Sequence, residues 1–186
     1  RIPGTDDISA VRLDNTGLQR FYRYDINTRN SKEIIRNLEV AYPLWASNKL
    51  LFSAVIGEKS LELVKSDLKN KTNVLLEKNI GRSLHCIPGT NSISFISKKK
   101  PQWEIFSIDI TTLTINKITN LDGNYEDIAW ISKDVVLQAK KNQLLQFNIK
   151  TDSVWKELIN KDSLQIQNIS RITISPDRTK IAIVGE

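Results

Sequence analysis

Residues spaced about 42 positions apart repeat one another along this chain, and that period constrains the fold more than any single motif. The segments YRYDINTRN, LVKSDLKNKT, IFSIDITTL and LQFNIKTDS each run from apolar residues into an Asp or Asn, an apolar residue and a polar turn. Their anchors are Asp25, Asp67, Asp109 and Asn148, at steps of 42, 42 and 39. A second series, offset from the first, consists of Ile2, Trp45, Ile87, Trp130 and Ile174, at steps of 43, 42, 43 and 44. IPGTDDISAV at Ile2 returns as IPGTNSISFI at Ile87. Two offset series that agree on one period mark a repeat architecture, in which each unit buries its apolar faces against its neighbours.

Each period contains four short stretches rich in Ile, Val, Leu, Phe and Thr, separated by turns of Gly, Asn, Lys and Ser. In the second unit the expected strands are 41–46, 50–55, 61–67 and 72–77, joined by SNK, IGEKS and LKNK. Alternation of apolar and polar residues in EIFSIDI fits a strand, as does the β-branched content. SKEIIRNLEV could form a short helix in isolation, but its equivalents TNVLLEKN and TINKITNL argue for a strand. The expected fold is therefore all-β, built of four-stranded antiparallel sheets at the spacing of β-propeller blades. The repeats fall at roughly 1–38, 41–78, 83–121, 126–160 and 170–186 of a single domain. Blades pack face to face, so both faces of the inner strands should be apolar. The outermost strands, SKEIIRN and SVWKELI, carry the charge that discourages pairing at an edge.

Composition narrows the function classes. With 186 residues, 40% hydrophobic and 26% charged, the chain resembles ordinary globular proteins, and no apolar run approaches the ~18–20 residues that a membrane-spanning helix needs. Cys86 is the only cysteine, which excludes an intrachain disulfide and a cysteine-based metal cluster. The net charge of +6 is scattered rather than gathered with aromatics, so nucleic-acid binding is the least favoured class.

With SPDRTKIAIV placed between the first two strands of a unit, the sequence resembles the TolB-type, WD40-like propeller repeats. Ser175, Pro176 and Asp177 match the family's turn, with Arg178 where the family prefers Gly. Trp45 and Trp130 match its tryptophan, and Asp25-Ile26, Asp67-Leu68 and Asp109-Ile110 match its later signature. The Gly-His and Trp-Asp pairs of WD-repeat proteins are absent. The resemblance implies a six-bladed ring, of which about four and a half blades are present. The remaining blade or blades are expected to lie before Arg1. It further implies a non-enzymatic scaffold, periplasmic or secreted, that binds a protein, a peptidoglycan-associated component or a glycan. The alternative is a propeller hydrolase, a lactonase or glycosidase with channel carboxylates around a divalent metal.

The residues themselves supply few catalytic candidates. His85 is the only histidine, so a His-based triad or a multi-histidine metal site is nearly excluded. Adjacent strand residues point to opposite faces, so His85 and Cys86 are not expected to converge. Asp122, Glu126 and Asp127 form the densest acidic cluster, in LDGNYEDIAW, where a calcium site or acid–base pair is the sharper reading and a polar loop the simpler one. SPDRTK lacks the Gly of the sialidase Asp-box. No catalytic residue, metal ligand or cofactor is assigned, calcium or another divalent ion on the propeller axis being the one exception to look for. The expected binding positions lie at the rim and channel mouth: Tyr42, Arg82, His85, Asp127 and Arg171, beside Lys59, Lys98–Lys100, Lys140 and Lys141.

Overall fold

The computed structural model describes residues 1–159 and 166–186, which form seventeen strands and no helix. Residue 160, where the fourth expected repeat ends, lies outside the described residues. The chain divides into two compact units, Arg1–Leu84 and His85–Glu186.

Unit 1 holds two antiparallel sheets. The first is β1 (Ile8–Leu13), β2 (Gln19–Tyr24) and β3 (Ser31–Ile35), in that spatial order. The second is β4 (Val40–Ser47), β5 (Leu50–Ile56), β6 (Leu61–Asp67) and β7 (Thr72–Ile80). All four strands expected of the second repeat are present, and SKEII, in β3, is a strand. The first repeat departs from the other complete ones. Ile2–Thr5 forms a turn, closed by a hydrogen bond from Thr5 N to Ile2 O, and β1 corresponds to the second strand of later repeats.

Unit 2 continues the pattern. One set of strands is β8 (His85–Cys86), β9 (Ser92–Ser97), β10 (Glu104–Asp109) and β11 (Ile115–Asn120). The next is β12 (Ile128–Trp130), β13 (Val135–Lys140), β14 (Gln143–Asn148) and β15 (Lys156–Ile159). The last is β16 (Ile169–Ile174) paired with β17 (Ile181–Gly185).

The recurrent Asp is explained by the turn it builds. Asp25 Oδ1 accepts from the N–H groups of Asn27 and Thr28, Asp67 Oδ1 from Lys69 and Asn70, and Asp109 Oδ1 from Thr111 and Thr112, all within 3.0 Å. A carboxylate two or three residues ahead of unpaired backbone donors is the usual way such a tight turn is satisfied. Four residues after each of these three Asp anchors the chain enters the left-handed region, at Arg29, Lys71 and Leu113, with φ of 63°, 56° and 59°. Four residues before each anchor sits the bulge through which the outermost strand pairs. The residues there are Phe21, Leu63, Ile105 and, in the fourth repeat, Leu144, and each is fully buried. A bulge raises the local twist and bends the strand, so every outer strand leaves its sheet at the same register.

Sheets stack face to face within each unit. In unit 1, Phe21 and Ile35 of the first sheet meet Val40, Leu51, Val55 and Val64 of the second. In unit 2, Ile96 and Ile105 meet Trp130, Val136 and Phe147, and Ala129, Leu137 and Leu144 meet Ile169 and Ile172. Burying one such Leu, Ile or Phe contributes about 1.5–3 kcal/mol. The two tryptophans of the repeat share a device. Trp45 Nε1 donates to Ser9 Oγ and Trp130 Nε1 to Ser94 Oγ, each at 2.8 Å. Both serines lie opposite the residue two before the anchor, Arg23 and Ser107. In the other two repeats that register holds Phe52 and Leu137, and the residue following in the second series is Ile87 or Ile174. The hydroxyl is present where an indole N–H needs an acceptor and absent where an isoleucine does not.

Candidate functional site

The loop of residues 121–127, leading into β12, is the most elaborated polar feature of unit 2. It is held from below by Gln138 of β13, which is fully buried. Gln138 Oε1 accepts from Asp122 N at 2.9 Å, and its Nε2 donates to Tyr125 O at 2.9 Å. The equivalent register positions are Ser53 and Phe95, so the amide is particular to this loop. A single Gln in the apolar run DVVLQAK was the available signal for it.

Each carboxylate of the acidic cluster faces a different cation. Asp122 Oδ2 pairs with Lys140 Nζ at 2.9 Å, Glu126 with Lys98 at 2.9 Å, and Asp127 with Arg171 at 3.5 Å. Lys98 also lies 4.0 Å from the centre of the Trp103 ring, a cation–π contact. The cations come from the β9–β10 turn, the end of β13 and β16, so the loop ties three successive sheets at one end. Carboxylates parted in this way do not converge on one point. Among the described residues, no three His, Cys, Asp or Glu side chains gather into a group that could hold a metal ion.

Of the expected binding residues, the structure brings Asp127 and Arg171 together. Lys98 and Lys140, expected as members of a basic rim, are neutralised by acids of the same loop. His85 lies on β8, paired with Ser94 across the strands. Its Nε2 is sealed from solvent without a hydrogen-bond partner, and burial pushes its pKa from 6.5 down to about 4, so the imidazole is neutral at physiological pH. Cys86 is exposed, on the opposite side of the strand as the alternation requires, and partial burial raises its thiol pKa. In unit 1, Tyr42 is exposed on β4, and Arg82 is half-buried in the segment after β7.

The stacked four-stranded sheets, one polar end of which is organised in this way, define a β-propeller fold of the TolB-like, WD40-like kind. No family model and no curated protein matches the sequence. Solved structures do. The chain is similar to TolB from Acinetobacter baumannii, at 16% identity and a TM-score of 0.74, over 96% of this chain and 46% of that one. It is similar to an oligogalacturonate lyase in complex with manganese, at 13% identity and a TM-score of 0.66, over 90% and 50% of the two chains. A nidogen/laminin complex is also similar, at 8% identity and a TM-score of 0.65, over 98% and 69%. The chain spans about half the length of the first two. At these identities the likeness is one of fold.

Proposed function

We propose that this chain belongs to a non-enzymatic, TolB-like propeller that binds a protein partner through the rim carrying the 121–127 loop. The observation that carries this reading is the pairing of Asp122, Glu126 and Asp127 with three separate cations. Acid–base catalysis needs titratable groups that converge on a substrate atom, and these groups diverge. A rigid loop with alternating charges instead offers the register-setting complementarity of a protein interface. A peptidoglycan-associated component or a glycan is the other partner class, and a periplasmic or secreted location follows from the resemblance to TolB-type repeats. A six-bladed ring is part of the same proposal.

The test is affinity capture from the source organism with the wild type and with Asp127→Ala/Arg171→Ala. The double variant is expected to lose the captured partner while keeping its melting temperature within a few degrees. Capture that is unchanged by the two substitutions contradicts the rim as the binding surface.

A second reading has its own support, since one similar fold is a lyase in complex with manganese. In that reading the protein is a hydrolase, a lactonase or glycosidase, with channel carboxylates around a divalent cation. Stoichiometric manganese or calcium in the purified protein, with turnover lost on chelation, would favour it over the scaffold.

A further inference from the structure

We propose that the groove floored by Trp155 in unit 2 is a subsite for a neutral oligosaccharide, which borders the rim loop at Asp122 but does not depend on the reading given above. The groove has a volume of about 350 Å³ and runs between the end of β11 and the segment leading into β15. It is lined by Gln102, Asn120, Asp122, Phe147, Ser153 and Trp155, among others. That volume is within the range of small-ligand sites.

The indole is fixed on two sides. Its Nε1 donates to Asn120 O at 2.8 Å, and its ring packs against Phe147 with centres 5.3 Å apart. Trp155 is nevertheless only half-buried, and Val154 beside it is 65% exposed. Trp155 stands one residue before Lys156, which faces Gln146, and at that register the other repeats have Ser31, Asn73 and Ile115. The tryptophan is therefore not demanded by the repeat. The corresponding groove in unit 1, about 520 Å³, contains Lys32, Arg36 and Lys71 and no aromatic residue.

A pyranose presents an apolar C–H face and a rim of hydroxyls that both donate and accept. An immobile indole plane takes the first, because an aromatic body buries area with little conformational entropy left to lose. Carboxamides and a hydroxyl take the second, since each also donates and accepts. The groove's walls are held by backbone acceptors, Asn120 O for the indole and Leu121 O for the Gln102 amide. That leaves the Asn120 carboxamide and the Ser153 hydroxyl for a ligand. Charge selects the sugar class: Asp122 is paired with Lys140 at 2.9 Å, so the groove has no net cation to attract an acidic sugar.

The probes are chitotetraose, cellotetraose, maltotetraose and tetragalacturonate, each titrated into the full chain at millimolar concentration and followed by saturation-transfer NMR and calorimetry. At least one neutral tetrasaccharide should bind, and tetragalacturonate should not. Asn120→Ala should weaken that binding by about fivefold, the loss of one net hydrogen bond. Trp155→Phe, which keeps an aromatic ring against Phe147, should weaken it more, with the fold checked by thermal melting. The proposal is overturned if no neutral tetrasaccharide binds, if tetragalacturonate binds more tightly, or if both variants bind as the wild type does.

Discussion

At the scale of single residues, the recurrent Asp and the left-handed residue four positions later account for the most regular signature of the sequence. A lysine or arginine at φ near 60° carries a steric cost that glycine does not. Lys71→Gly should therefore raise stability by about 0.5–1 kcal/mol in urea unfolding, and a β-branched residue there should lower it. Arg178 has the same conformation, with φ of 61°, in SPDRTK, where the related repeats prefer Gly. The anchors also set an acid limit. Asp25, Asp67 and Asp109 have pKa values lowered chiefly by the backbone N–H groups they accept from. A depressed carboxylate pKa contributes stability that is present above the unfolded value near 4 and is lost as pH falls through the folded value. His85 acts earlier on the same axis. Its folded pKa of about 4, against 6.5, means that the unfolded chain binds the extra proton between those values. Stability should fall from pH 6.5 towards 4, and His85→Gln should flatten that limb of the melting-temperature profile while leaving the steeper loss below pH 4.

At the scale of elements, the strands were legible because hydrophobic period and turn chemistry agreed in the second, third and fourth copies. Expected strands 61–67 and 72–77 correspond to β6 and β7, with β7 extending to Ile80. What the sequence did not reveal are interactions that cross from one sheet to the next. Ser9 and Ser94 are unremarkable serines until the tryptophans 36 residues later are placed over them. Ser94→Ala would leave the buried Trp130 N–H unsatisfied, which costs about 1–3 kcal/mol. Trp130→Phe combined with Ser94→Ala should recover part of that loss, and a double-mutant cycle read by chemical denaturation measures the coupling. The candidate site was legible in part for the same reason. The acids of LDGNYEDIAW and the rim lysines stood out as clusters, but their pairing one to one depends on the β9–β10 turn, β13 and β16 presenting Lys98, Lys140 and Arg171 at the same end. The single Gln in DVVLQAK marks a buried amide, but no local pattern says which loop Gln138 supports.

At the scale of the whole molecule, the period near 42 residues carried most of the information about fold and little about ligand. Propeller sheets bury their faces against each other and display loops at their ends, so function is left to side chains that the repeat does not dictate. The similar structures include TolB, a lyase and a nidogen/laminin complex, a range that fits one architecture used for several purposes. The central claim, a binding rim rather than a catalytic centre, is tested most directly by site-specific photocrosslinking in the source organism. Benzoylphenylalanine would replace Lys140 or Arg171 at the rim of unit 2, and Lys117 on the outer strand β11 as the control. A discrete protein adduct from the rim positions, with none from Lys117, is the result expected. Adducts confined to Lys117, or none at the rim while the purified protein turns over a lactone or glycoside, would contradict the account.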